Sequence, residues 1–108
     1  MKERQIIGEI EQLVLLAILR LGQGAYAVPI RTELVAHGVD LSRGSVYVTL
    51  DRLERKGYVR SWFDAPTPEP GGKARRCFRI ERAGVAALRT NRDLLRRLQA
   101  GTLLEKRG

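Results

Sequence analysis

The chain has 108 residues, with 20 Lys and Arg against 12 Asp and Glu, one Cys (Cys77) and one His (His37). That length fits one domain, and the Cys and His counts exclude an intrachain disulfide and a Cys/His zinc cluster. With 44% hydrophobic and 30% charged residues, the composition is that of neither a disordered nor a membrane-embedded chain.

The net charge of +8 is not spread evenly. Residues 1–41 hold four basic and five acidic side chains, and residues 42–108 hold 16 and seven. A one-sided positive field usually faces a polyanion. Arg supplies 16 of the 20 basic residues, a bias that a GC-rich genome also produces, so charge alone leaves the partner open.

The first predicted element is a helix in which Ile10, Leu13, Val14, Ala17, Ile18 and Leu21 recur at helical spacing, ended by Gly22 and Gly24. Leu15, Leu16 and Leu19 fall off this stripe. The helix is then apolar nearly all round, and such a helix is buried on most sides. The run Leu13–Leu19 is far too short to span a bilayer. Ala25-Tyr26-Ala27 follows it in the pattern of a signal-peptide cleavage site, but Glu3, Glu9 and Glu11 spoil the positive region such a peptide needs. No membrane partner is expected, and the lone thiol fits a reducing cytoplasm.

A second helix is predicted from about Ala27 to His37, with Pro29 in its first turn, Ile30 and Leu34 facing the core and Gly38 as its C-terminal cap. After Val39-Asp40-Leu41, Ser42 reads as the N-cap of a third helix, from about Arg43 to Lys56. Val46, Leu50 and Leu53 form its core stripe and Gly57 stops it. Two helices joined by so tight a turn make a helix-turn-helix.

Tyr58–Phe63 is rich in aromatic and β-branched residues and reads as a strand. Residues 64–74 hold three prolines and two glycines and cannot be regular structure. Arg75–Ile80 alternates as a second strand, with Phe78 and Ile80 facing the core and Cys77 on the other face. Together they form a hairpin with a long loop, a wing. A last helix runs from about Glu81 to near Glu105. Leu88, Leu94, Leu95 and Leu98 lie close to one stripe, flanked by Arg89, Arg92, Arg96 and Arg97, and Gly101 weakens its end.

The third helix carries the chemistry. Its outer face presents Gly44, Val48, Asp51, Arg52 and Arg55, flanked by Ser45 and Tyr47. Its first turn, Ser42-Arg43-Gly44-Ser45, is small, polar and basic, as a helix entering a major groove requires. Arg43 suits guanine or phosphate, and Val48 suits a thymine methyl. Tyr47 and Thr49 offer hydroxyls to phosphate, with Thr49 near the buried edge. Lys73, Arg75 and Arg76 at the far end of the wing loop suit phosphates or the minor groove, and Lys56 joins this basic set. Double-stranded DNA is therefore the expected partner. A solvated helix face and a solvent-exposed basic loop remain the plainer readings of the same residues.

Other motifs are weaker. Gly22-Gln23-Gly24 lacks a preceding strand, and Gly71-Gly72-Lys73-Ala74 lacks the Ser/Thr and upstream Gly of a phosphate-binding loop. His37 reads as a solvated residue at a helix end and Trp62 as a packing residue of the hairpin. There is no nucleophilic triad and no paired catalytic carboxylates, so no enzyme, cofactor or metal is expected.

Three stretches resemble the PadR family of bacterial transcriptional regulators: Glu9–Leu19, which is similar to its first helix; Ser42–Val59, similar to its recognition helix and entry to the wing; and Pro66–Lys73, similar to the wing of its short members. The Tyr47, Leu50, Leu53, Gly57 pattern alone is shared among winged helices generally, whereas the three stretches together are fairly specific. The resemblance implies a mainly α winged helix-turn-helix with a small β-hairpin, in the order α-α-α-β-wing-β-α. It further implies a homodimer, joined through the C-terminal helix, that represses transcription. Residues 1–80 would form the DNA-binding unit and 81–108 the dimerisation helix of the same compact body. The residues support the dimer independently: the Leu88–Leu98 stripe has no remaining segment to cover it, and the first helix needs a second neighbour. Leu15, Leu16, Leu19, Leu88, Leu94, Leu95 and Leu98 are the expected interface. Some members bind planar drugs or phenolic acids between subunits beside an aromatic residue on the first or last helix. Neither helix here has one, so a small-molecule inducer rests on analogy alone. A ligand-gated sensor, and a protein adaptor docking through the long helix, stand as alternatives to the repressor.

Overall fold

The structure is a computed structural model that describes residues 6–64 and 74–105. Helix α1 (Glu9–Leu21) is followed by a 3₁₀ turn at Gly22–Gly24, then α2 (Ala27–Ala36), α3 (Arg43–Arg55), strands β1 (Val59–Phe63) and β2 (Arg76–Ile80), and α4 (Arg82–Gln99). The order is that of a winged helix-turn-helix. None of the described helices is long and apolar enough to cross a membrane.

The three helices close on one core. Val14, Leu15 and Ile18 of α1, Ile30 and Leu34 of α2, and Val46, Leu50 and Leu53 of α3 meet there, with Val59 and Phe78 of the hairpin beneath them. The turn between α2 and α3 is fixed by backbone. Gly38 takes a φ of 85°, its N–H donates to Val35 O, and the Val39 N–H donates to Leu34 O at 2.9 Å. Arg31 Nε adds a bond to Leu41 O at 2.7 Å. Ser42 Oγ then accepts the Ser45 N–H at 3.1 Å, one of the donors a helix start leaves open. Gly57, with a φ of 80°, turns the chain out of α3 and into the hairpin.

The phase of α1 differs from the sequence expectation. Its buried stripe is Glu11, Val14, Leu15 and Ile18, with Ala17, whereas Ile10, Leu16 and Leu19 are exposed. A charged residue thus holds a core-facing position, which a count of apolar residues skips. Glu11 is satisfied there: it accepts the Gly8 N–H at 3.0 Å and both its oxygens accept from Lys56 Nζ, at 3.0 and 2.8 Å. Burial pushes its pKa up, but the Lys56 ammonium and the Gly8 N–H outweigh that and hold it below the ordinary carboxylate range. The pair ties the start of α1 to the end of α3.

The hairpin is antiparallel, with Val59 opposite Ile80, Ser61 opposite Phe78 and Phe63 opposite Arg76. A third extended segment joins it. Tyr26 pairs with Cys77 as an isolated bridge, and Phe78 N–H donates to Ala25 O at 2.8 Å. This cover buries Cys77 to 4% exposure, where the alternating pattern had placed it on the outer face of the strand. Its Sγ lies 3.1 Å from Asp64 Oδ2, and burial first, then the carboxylate, push the thiol pKa up.

Helix α4 buries Gly84, Leu88 and Asn91: Leu88 joins the core, Asn91 Nδ2 donates to Gln12 Oε1 of α1 at 2.6 Å, and Gly84 lies against the hairpin root. Gly84 permits the approach: a Cβ there would lie 2.4 Å from Tyr58 O and 2.7 Å from Ile80 Cγ1. The helix stops at Gln99 rather than near Glu105, since Ala100 is extended and Gly101 has a φ of 77°. Beyond Asn91 the apolar stripe loses its cover, and Leu95 and Leu98 are exposed.

Candidate nucleic-acid interface

The outer face of α3 is open along its whole length. Arg43, Gly44, Ser45, Asp51, Arg52 and Arg55 are exposed, and so are the apolar or aromatic Tyr47 and Val48, at 47% and 54%. The side chains opposite them, Val46, Leu50 and Leu53, are buried, so the packing that holds the helix also orients this face outward. Arg43, Arg52 and Arg55 form no ion pair among the described residues. Three guanidiniums with no ion-pair partner among the described residues therefore follow the helix, and the small Gly44 and Ser45 leave its first turn free of bulk. A cleft of about 240 Å³ opens between α2 and α3 beside that turn, lined in part by Arg31, Thr32, Arg43 and Tyr47.

Ser42 is less free than its sequence position suggests, because its hydroxyl caps α3 and bonds the Ser45 hydroxyl at 3.0 Å. Thr49 leaves the set altogether. It is 4% exposed and its Oγ1 donates to Ser45 O at 2.7 Å, a back-bond within the helix that removes it from any phosphate. Lys56 also leaves the set, since its ammonium is held by the buried Glu11.

The wing divides the three cations expected from it. Lys73 lies outside the described residues. Arg75 is exposed, with its guanidinium 4.9 Å from the centre of the Tyr26 ring, a stacking that extends the basic surface from the wing towards the start of α2. Arg76 is turned inward. Its Nη1 lies 3.0 Å from Asp51 Oδ1, its Nη2 bonds Glu54 Oε1, and its Nε donates to Ser61 Oγ at 3.2 Å. Ser61 Oγ in turn donates to Glu54 Oε2 at 2.6 Å. The bond from Ser61, together with Arg76, holds the Glu54 carboxyl below its usual range in spite of burial. Burial works against the charge of Arg76, but Asp51 and Glu54 outweigh it and keep the guanidinium firmly protonated. The expectation that Arg76 is a free cation does not fit these contacts. Asp51 and Glu54 are four and one residues from Arg55, on a helix read as a DNA-facing surface, and their pairing with a wing residue carries no signal in the sequence.

The leucines divide as well. Leu16, Leu19, Leu95 and Leu98 are exposed and Leu94 is half-buried. Leu15, expected at a subunit interface, is 0% exposed within the chain's own core and has no surface to give; Leu88, at 9%, is turned inward onto the core as well.

The model of the transcriptional regulator PadR-like family matches residues 15–90. Among solved structures, a PadR family transcriptional regulator from Eggerthella lenta is 28% identical, covers 92% of this chain and 88% of its own, and superposes with a TM-score of 0.68. A PadR-like transcriptional regulator from Bacillus cereus is 22% identical over 91% of this chain and 93% of its own, also with a TM-score of 0.68. A PadR family regulator from Clostridium difficile is 20% identical over 82% and 90%, again at 0.68. No curated protein matches the sequence.

Proposed function

The chain belongs to the PadR-like family of transcriptional regulators, and from that premise we propose that it is a DNA-binding repressor acting as a homodimer on an inverted-repeat operator. One observation carries the reading: the first turn and outer face of α3 are exposed and carry arginines with no ion-pair partner among the described residues, beside a wing whose Arg75 continues the same positive surface. Helix α3 enters the major groove by its N-terminal end, where Arg43, Gly44 and Ser45 approach base edges and Val48 meets a thymine methyl. Tyr47, Ser42 and Arg52 reach phosphate, and Arg75, with Lys73, follows the backbone or the minor groove. Such contacts are salt-dependent, because each neutralised phosphate releases a counterion.

The dimer follows from the apolar surface left over. Leu16 and Leu19 of α1 and Leu94, Leu95 and Leu98 of α4 form the seam, joined about a two-fold axis. A two-fold dimer of this class would set its two recognition helices about one helical turn of DNA apart, ~34–36 Å. The test is fluorescence anisotropy with the chain's own upstream DNA and with a random duplex at one salt concentration, followed by a footprint. Selective binding with a two-fold symmetric footprint is expected. Equal affinity for both duplexes would sink the operator claim.

A further inference from the structure

We propose that Arg76 is a positioning residue, which braces the wing against the outer face of α3, and that DNA affinity depends on this brace rather than on Arg76 reaching phosphate. The proposal rests on the DNA-binding reading above and deepens it. A two-stranded hairpin is marginal by itself and needs an apolar face to pack on. Here the face that carries Val59 and Phe78 is covered at its root, where both are buried in the core, whereas Phe63, at the distal end of β1 on the same face, is 69% exposed. Arg76 is the cross-strand partner of Phe63, so it stands where apolar cover has run out. Its guanidinium replaces that cover with polar bonds to three groups, Asp51 and Glu54 on α3 and Ser61 on β1. It also lies over the Phe78 ring, 5.0 Å from the centroid, which connects the brace to the core. Arg75, the residue proposed to follow the DNA backbone, immediately precedes it in the chain. Fixing Arg76 therefore fixes where Arg75 stands relative to Arg43 and Ser45. The brace has an electrostatic effect too: it offsets two carboxylates that would otherwise face phosphates from the middle of the recognition helix.

The deciding variant is Glu54→Ala, because charge and geometry predict opposite signs. Removing a carboxylate from a DNA-facing surface, and releasing a cation beside it, tightens binding if Arg76 acts as a free charge. If Arg76 acts as a brace, the loosened wing must be ordered on binding and affinity falls, by about fivefold. The probe is a random 24-base-pair duplex at fixed salt, titrated with wild type, Glu54→Ala, Arg76→Ala, Arg76→Lys and the double Ala variant of Glu54 and Arg76. The expected result is weaker binding by each single variant, with the double no weaker than Arg76→Ala. Lysine should fail to rescue, since it keeps the charge but not the forked geometry. Amide hydrogen exchange in Val59–Phe63 and Arg76–Ile80 should quicken in Glu54→Ala without global unfolding. Glu54→Ala binding as tightly as wild type or more tightly, or Arg76→Lys binding normally, overturns the proposal. A wild-type chain that ignores duplex DNA refutes the underlying reading instead, and hairpin exchange unchanged by Glu54→Ala would then refute the brace as well.

Discussion

Gly84→Ala should lower the melting temperature, although the same change in an ordinary helix interior raises it. Alanine is the better helix former by about 1 kcal/mol, so propensity alone predicts stabilisation. The new methyl carbon, however, would lie 2.4 Å from Tyr58 O and 2.7 Å from Ile80 Cγ1, well inside the ~3.5–4.0 Å at which non-bonded carbons are at rest. Ile80 can rotate away. The carbonyl cannot, because it is backbone and accepts the Glu81 N–H at 2.8 Å at the very start of α4. The helix must back off by roughly 1 Å, loosening Leu88 from the core and stretching the Asn91–Gln12 bond. Overpacking of this kind costs about 1–3 kcal/mol, and the rigid neighbour puts this site at the upper end. The net loss is ~2 kcal/mol, which for a domain of this size is about 8–16 °C. Circular dichroism melts at one fixed protein concentration measure it, with Ala86→Gly on the exposed side of α4 as the propensity control. A melting temperature equal to or above that of wild type would refute the close-approach argument.

Three further outcomes follow from the same geometry. Glu11 and Glu54 titrate below their unfolded values, so the stability they contribute is present above about pH 4.3 and is lost as pH falls through their folded pKa values. The gap in melting temperature between wild type and Glu11→Gln should therefore be full at pH 7 and narrow as the pH falls through the folded pKa of Glu11; a gap that does not change with pH contradicts the Lys56 pairing. The buried, hydrogen-bonded Cys77 should react with a thiol reagent at pH 8 only as fast as the hairpin opens, and labelling as rapid as that of a free thiol would show the burial to be wrong. Leu98→Glu should convert a sedimenting dimer to a monomer with the fold intact by circular dichroism; a wild-type chain that is monomeric at tens of micromolar removes the basis of the seam.

The sequence makes the helices legible because each is marked twice, by an apolar period and by a stop. Ser42 and Gly57 bracket α3 within a residue, and the Val46, Leu50, Leu53 stripe orients it, so the outward face follows with no further information. What escaped has one physical character: long-range polar contact. Glu11 has no local sign of burial in the sequence, because the partner that satisfies it, Lys56, is 45 residues away. Arg76 reads as a free wing cation because Asp51 and Glu54 appear only as polar positions on another element. The burial of Cys77 depends on Ala25 and Tyr26, two residues that look like a loop. Gly84 carries no local signal either, and the approach of Tyr58 O and Ile80 gives it a reason. Counting net charge overstated the free cations for the same cause: Lys56 and Arg76 are paired with carboxylates of the fold.

The bridge from Tyr26 to β2 has a consequence for the order in which the molecule assembles. It joins the turn after α1 to the second strand of the hairpin, closing a loop of about fifty residues that contains both helices of the helix-turn-helix. That contact gains nothing until α2 and α3 have shortened the intervening chain, so it belongs late on the folding route, after a nucleus of local helical contacts. Destabilising changes around Tyr26 and Cys77 should then speed unfolding while leaving the folding rate nearly unchanged, the signature of a low φ-value. In the native state the same bridge, with the Phe78 N–H bond to Ala25 O, ties β2 to the chain just before α2, so the hairpin and the helix-turn-helix are held from both sides of that loop.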